Sequence, residues 1–464
     1  TPLARGGARS TRAWYAITRS AVTSGSQAQE LRARFGVPES MKLGVNDWGW
    51  LRILAAGYDA ELERRGYFYI GARELEQLSG RQPRLMAKHD FSTSRPWIFQ
   101  RLQLGIVPVS RSEYLVGRFN LYERFPETQR GEVRTLELPA GLDTLSLEAV
   151  SSEAVALNGA SASGMLEDFL GCAPLQATVA GRMSTHGLKV RLPDLGVDVA
   201  VDRAQMEIDG GFESLEHLVL VEAKNHLSED FNIRQLYFPY RRFQQRLAKD
   251  VVPVYLVYSN GIFHLYRYEF RDPADFRSIS LVDSARYALS SSHLDAQAAL
   301  DIVRAVAPEP EPAVPFPQAN SFERVVNLLE LIALQPLSKA EITQRYDFDP
   351  RQADYYANAA RYLGLAEPVE DTWEPTERGR RVIEQPQRDA RNAALIRALA
   401  ARRVFREVLE LSLARGAVAS TAEICAAMDG LGLSLATSRR RASTVARWTQ
   451  WVLDTVAEGT PRLF

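Results

Sequence analysis

Residues Met206 to Asn225 read MEIDGGFESLEHLVLVEAKN, two strand-like runs around a polar turn, and their pairing decides the fold. A loop at Ser214 to His217 pairs Glu213 with Leu218. Counting outward then sets Asp209 opposite Glu222 and Glu207 opposite Lys224. Directly opposed residues share a sheet face, their β-carbons about 5 Å apart. Alternation puts Glu207, Asp209, Glu222 and Lys224 on one face and Met206, Ile208, Val219, Val221 and Ala223 on the other. An Asp facing a Glu weakens a sheet unless a cation compensates. Mg²⁺ suits such a pair, because it is commonly held by one or two carboxylates with water and substrate phosphate. Lys224, two residues beyond Glu222, then stands where an ammonium can orient an attacking water or stabilise a phosphorane-like transition state.

A Glu-x-Lys pair on a strand is common and by itself describes a solvated face. Here the apolar run Leu218 to Val221 precedes it, as in a buried central strand, and charges are seldom placed at the end of such a strand without a task. The surroundings are consistent with one compact unit. Residues 151–171 predict a helix, FNIRQLYFPYRRFQQRL (231–247) an amphipathic helix, and VVPVYLVYS (251–259) and IFHLYRYEF (262–270) two more strands.

This order, with Ile208-Asp209 followed by Glu222-Ala223-Lys224, resembles the PD-(D/E)XK nuclease superfamily, although Ile208 replaces the usual Pro. GRMST (181–185), QMEIDGGFE (205–213), VEAKN (221–225) and RQLYFPYRRF (234–243) resemble stretches of type II restriction endonucleases, most closely over 150–270. The resemblance implies a mixed sheet flanked by helices, Asp209 and Glu222 as metal ligands, Lys224 as the catalytic lysine and Mg²⁺ as cofactor, for which Mn²⁺ can substitute. It also implies a Glu from the first helix, for which Glu153 and Glu167 both qualify by spacing, and a polar helix residue near the site, at Gln235. Glu207 is a further candidate for the third carboxylate. Of the six histidines, His217 and His226 fall near this site, and both read as loop residues rather than ligands.

The 464 residues predict a multidomain α+β chain, with 46% apolar residues and no run that would span a membrane. Two cysteines, Cys172 and Cys425, exclude a disulfide framework or a cysteine-rich zinc site. A net charge of −1 means that any DNA-binding surface comes from local sorting of charge. No GxxxxGK[ST] loop is present, which argues against ATP as a partner. The first 29 residues contain Arg5, Arg9, Arg12 and Arg19 and no acid, and read as a basic arm.

Five segments are expected: an α+β module (1–145), the nuclease core (146–305), a proline-rich spacer (306–319) containing APEPEPAVPFPQ, and two helical winged-helix-like units (320–384 and 385–464). The first module, expected to have a part in DNA recognition, predicts helices near 49–65 and 71–79, then strands in IFQRLQLGIVPV and EYLVGRFNLYERF. Exposed arginines among Arg81, Arg84, Arg95, Arg101, Arg111 and Arg118 could touch phosphate, and ordinary surface solvation explains their spacing equally well. In the first helical unit Ser338 and Asp349 are N-cap candidates, Pro350 opens the third helix, and the WEPTERG run (373–379) resembles a wing. Arg351, Gln352, Tyr355, Asn358 and Arg361 on that third helix could read bases or grip phosphates. The last helix of the second unit carries Arg439, Arg440, Arg441 and Arg447, suited to a phosphate backbone together with Ser438, Ser443 and Thr444.

The expected protein is a Mg²⁺-dependent type II restriction endonuclease acting on double-stranded DNA, cytoplasmic in a prokaryote. A homodimer is expected because two antiparallel strands must be cut. A structure-specific repair nuclease on the same core and a non-catalytic winged-helix regulator are the alternatives.

Overall fold

The computed structural model describes residues 25–126, 132–142, 145, 152–290, 292–346, 350–385 and 387–458. The arginine-rich arm and Asp349 lie outside them. The chain forms a mixed α/β multidomain molecule, and among the described residues no helix is long and apolar enough to cross a membrane.

The N-terminal module runs α1 (Gly25–Phe35), α2 (Val45–Ile53), α3 (Asp59–Arg65), β1 (Tyr67–Gly71), α4 (Ala72–Ser79), α5 (Pro83–Ala87), α6 (Trp97–Leu102), β2 (Gly105–Pro108) and β3 (Glu113–Gly117). Its strands form an antiparallel sheet ordered β1-β3-β2 over a core that includes Trp50, Phe68 and Phe99. Residues 97–102 are helical where alternation predicted a strand. Ile98, Phe99 and Leu102 also fit one side of a helix, and Gln103, at φ 53°, ends it in the left-handed region.

The central unit contains β4 (Tyr122–Arg124), β5 (Val133–Thr135), α7 (Glu153–Ala162), α8 (Met165–Leu170), β6 (Gln176–Ser184), β7 (Leu188–Leu192), β8 (Val197–Val201), β9 (Gln205–Glu213), β10 (His217–Lys224), β11 (Asp230–Asn232), α9 (Arg234–Gln244), β12 (Asp250–Ser259), β13 (Ile262–Phe270) and β14 (Ile279–Ala288). Seven strands form one mixed sheet in the order β5-β14-β13-β12-β10-β9-β6. β10 and β12 are parallel, joined by the α9 crossover, and β10 pairs antiparallel with β9 on its other side. β10 is therefore covered on both faces. Leu218 and Leu220 pack with Leu236, Tyr237 and Tyr240 of α9, while Val219, Val221 and Ala223 pack with Ala156, Leu157 and Ala160 of α7.

The hairpin register is the expected one, with Glu213 opposite Leu218 and Gly210 opposite Val221. The division into one charged and one apolar face is not. Met206 and Ile208 join the α9-side cluster, separate from Val219, Val221 and Ala223. The β9–β10 ladder ends at the Gly210–Val221 pair, and β9 is irregularly paired with β6 around Val179, so the two strands diverge beyond that point.

The predicted first helix is two helices, because Gly164 at φ 71° breaks the chain between α7 and α8. Beyond β14 come α10 (Ala296–Ala305), α11 (Phe322–Leu334), β15 (Leu337–Ser338), α12 (Lys339–Arg345), α13 (Pro350–Tyr362), β16 (Ala366–Val369), β17 (Thr372–Pro375), α14 (Glu377–Ile383), α15 (Arg388–Ala400), α16 (Arg403–Arg415), α17 (Thr421–Ala427) and α18 (Leu435–Glu458). One apolar cluster runs through all of them from Leu294 to Val456, so this unit begins before the proline-rich stretch. That stretch lies along the helices. Glu309 pairs with Arg402 at 3.3 Å and with Arg378, and Phe316 stacks on Phe405.

β15, β17 and β16 make a small antiparallel sheet. The turn of its hairpin is at Glu370, φ 51°, and Asp371, while Thr376 caps α14 by accepting from Gly379 N. The run 373–379 expected as a wing is thus a strand followed by a helix start. Ser338 and Ser420 cap α12 and α17, each with a Glu three residues on completing a capping box.

The tip of the β12–β13 hairpin, Ser259–Asn260–Gly261, inserts into this helical unit. Glu330 of α11 accepts from Ser259 Oγ (2.9 Å), Asn260 N (3.0 Å), Asn327 Nδ2 (3.3 Å) and Arg391 Nη1 (3.2 Å). Removing one partner of a buried ion pair leaves the other uncompensated, at a cost of ~3–5 kcal/mol. Glu330→Ala is expected to lower the midpoint of urea unfolding accordingly, as followed by circular dichroism. An unchanged midpoint would show that the junction contributes nothing.

Candidate functional site

The last residues of β10 turn from apolar to charged while remaining buried. Glu222 and Lys224 are each 8% exposed. The Lys224 Nζ donates to Glu222 Oε1 at 2.7 Å and to Ala223 O at 2.8 Å, and lies 3.5 Å from Glu153 Oε1 and 4.0 Å from Asp209 Oδ2. Gln235, at the start of α9, donates from Nε2 to Glu222 Oε1 at 2.6 Å. Asp209 Oδ2 accepts from Ala223 N at 2.8 Å, replacing the ladder bond that ends one pair earlier. Asp209, Glu222, Lys224, Glu153 and Gln235 thus converge, from β9, β10, α7 and α9.

Two local features bring Glu153 into the cluster. Ser152 caps α7 by accepting from Val155 N, which fixes Glu153 in the first turn. Gly210 allows α7 to lie close to β9, since a β-carbon there would stand 2.7 Å from Leu157 Cδ2. Glu167 is on the separate helix α8, where Oε1 accepts from Leu175 N at 3.3 Å, and it is not in the cluster. Glu207 is not beside Lys224 either. It pairs with Arg182 at 3.7 Å because β9 has already diverged from β10.

Three carboxylates surround one ammonium, and two of them, Glu222 and Glu153, are raised, chiefly by burial. Burial, opposed by Lys224 and reinforced by Asp209, pushes the Glu222 carboxyl up to about 8. Glu153 is also raised, chiefly by burial. Burial works against the Lys224 ammonium, yet Glu222, Glu153 and Asp209 hold it well above the ordinary lysine value. Among the described residues no group of three or more His, Cys, Asp or Glu side chains is arranged to hold a metal ion. The acids converge on Lys224 instead. The donor set nevertheless suits a hard divalent cation, since Asp209 and Glu222 offer oxygen ligands in a surplus of negative charge and Mg²⁺ usually takes only one or two carboxylates from a protein.

The cluster lies at the wall of a cleft of about 1320 Å³ between the central unit and the N-terminal module, with Tyr346 of the helical unit also lining it. His226 packs edge-on between Phe91 at 5.1 Å and Tyr346 at 5.3 Å, and burial drives its pKa down to about 3, so it is neutral. Asn327 of α11 binds both sides of His226, accepting from Leu227 N and donating to Asn225 O. Of the cations lining the cleft, Arg81, Arg84 and Arg111 are among the arginines that the sequence offered equally as phosphate contacts or ordinary surface, whereas Lys88, Arg182 and Arg234 had no sequence signal.

The helical candidates are placed less uniformly. On α13, Tyr355 and Arg361 are exposed, Asn358 Nδ2 donates to Asp354 O, and Gln352 Nε2 approaches Glu229 Oε1 at 3.4 Å. The Arg351 side chain lies outside the described residues. Arg439, Arg440 and Arg447 of α18 are exposed, and Arg441 is half-buried close enough to Tyr355 for the phenol to act on its charge. Thr444 is spent internally, donating to Asn320 Oδ1 at 3.3 Å, and Ser438 is buried, so neither joins a surface.

Three families match the chain, each described as a domain of unknown function: DUF6996 over residues 47–116, DUF6997 over 117–288 and DUF7226 over 324–457. Their limits follow the three structural units, and the cluster around Lys224 falls within DUF6997 except for the cleft wall opposite it. No curated protein and no solved structure matches the chain.

Overpacking a well-filled interface costs ~1–3 kcal/mol. Gly210→Val is expected to lower stability by that amount in denaturant unfolding, because the new side chain meets Leu157 and the Phe212 ring. A neutral effect would mean that α7 does not rest on Gly210.

Proposed function

We propose that this chain is a Mg²⁺-dependent endonuclease of the PD-(D/E)XK type that cuts double-stranded DNA in the manner of a type II restriction enzyme. The observation that carries the reading is the convergence of Asp209, Glu222 and Glu153 on the Lys224 ammonium beside a cleft lined by cations. The sheet around it supports the same reading, with a helix before it, an antiparallel hairpin bearing the acids, and a crossover helix to a parallel neighbour.

Asp209 and Glu222 would hold the ion, which when bound supplies positive charge at the scissile phosphate and acidifies a water. Gln235 fixes the Glu222 oxygen, and the Ala223 amide fixes the Asp209 oxygen, so neither acid has to reorganise. Lys224 presents an ammonium to charge that develops on the phosphate, in a site with little water to screen it. Glu153 balances that ammonium from the α7 side.

For the helical unit, the order α11, β15, α12, α13, β16, β17 supports a winged helix. The hairpin carries Glu367, Glu370, Asp371 and Glu374, which repel phosphate. DNA contact is therefore assigned to Tyr355 and Arg361 of α13 and to the arginines of α18, not to the hairpin. A homodimer, one centre per strand, completes the proposal.

Lys224→Ala and Asp209→Asn are each expected to slow Mg²⁺-dependent cleavage of duplex DNA by ~10²-fold or more, while gel-shift binding survives. Full cleavage by either variant would remove the mechanism.

A further inference from the structure

The cleft has two walls, and the one facing the carboxylates is made by the N-terminal module. Arg81, Arg84 and Lys88 come from the segment around α5, and Arg111 comes from the turn between β2 and β3. Arg182 and Arg234 line the opposite side. Lys88 is close enough to bear on the ionisation of both Glu153 and His226, so this wall overlooks the acidic cluster directly.

Among the described residues Lys88 is paired with Asp90 at 3.2 Å and Arg182 with Glu207 at 3.7 Å, whereas no acid pairs with Arg81, Arg84, Arg111 or Arg234. Arg111 donates to Ser184 Oγ at 3.3 Å, across the cleft, and Arg234 lies over the Phe238 ring. In a chain with a net charge of −1, four arginines without acidic partners in one cleft amount to a local sorting of charge.

The wall is also braced. Asn232 of β11 donates from Nδ2 to His89 O and from its backbone N to Asp90 O, Tyr122 of β4 donates to His89 O, and Ser92 N donates to Asp230 Oδ1. β4 and β11 are themselves paired, so the segment following Lys88 is tied by hydrogen bonds, one of them backbone to backbone, to the strand that leads into α9. Cations lining the same cleft as the acidic cluster match a ligand with phosphates on either side of the one attacked.

We infer that the N-terminal module is a phosphate clamp, in which Arg81, Arg84 and Arg111 grip the backbone of the DNA strand flanking the scissile phosphate. The inference rests on the nuclease reading and adds to it the role of the first module. These contacts are to phosphate, so they contribute affinity without sequence preference.

The test is a salt titration of DNA binding by the full chain carrying Lys224→Ala, which prevents cutting. A fluorescent duplex is titrated by anisotropy at several KCl concentrations. Each phosphate contact contributes roughly 0.9 to the slope of log K against log salt. Adding Arg81→Gln and Arg84→Gln is expected to reduce that slope by about 2, equally for unrelated duplexes, and Arg81→Lys with Arg84→Lys is expected to restore it. Arg73→Gln, on α4 and outside the cleft, is expected to leave the slope unchanged. An unchanged slope in the Arg81/Arg84 variant of a parent that binds overturns the clamp and leaves the nuclease reading intact. A parent that shows no salt-dependent DNA binding, with no cleavage by the unaltered chain, overturns both.

Discussion

The burial of one ammonium is the constraint from which the rest of the site follows. Lys224 ends a strand that is covered on both faces, and a lysine there is costly unless charged partners surround it. Glu222 supplies one within its own strand, Asp209 reaches in from β9 where the ladder stops, and Glu153 arrives because Gly210 lets α7 approach. Each solution to the lysine's burial adds an acid, and the sum overshoots. Burial, with Asp209 adding to it, raises both Glu222 and Glu153, and the three acids around one ammonium are the arrangement on which the proposed cation site rests.

All three units hold this point in place. The segment after Lys224 is bound by Asn327 of the helical unit, His226 is packed between Phe91 of the first module and Tyr346 of the third, and Glu330 receives the tip of the β12–β13 hairpin. The cleft is therefore preformed from three parts of the chain that are far apart in sequence. That arrangement suits a substrate large enough to touch them all.

The parts legible in the sequence were those governed by local pattern. The hairpin register follows from the polar turn Ser214 to His217 and the apolar run beside it, and β13 coincides with its strand-like run. The capping serines at 338 and 420 also announce their helices. What failed was decided by tertiary packing. The division of faces failed because β9 leaves β10 after Gly210, and Glu167 remained a rival of Glu153 because a glycine break cannot be told from a continuous helix by spacing. Residues 98–102 fit both periodicities, and burial chose the helix. Among the arginines of the first module, spacing could not separate Arg81, Arg84 and Arg111 from ordinary surface residues; the fold brings these three into the cleft that holds the acids.

The most direct measurement is the digestion of plasmid DNA by the purified chain with Mg²⁺, followed by sequencing of the ends. A discrete set of linear fragments, with ends at one recurring sequence and none formed when the divalent ion is chelated, is the expected result. Plasmids of varied sequence and methylation that remain supercoiled with Mg²⁺ or Mn²⁺, or cutting that proceeds undiminished in chelator, would contradict it.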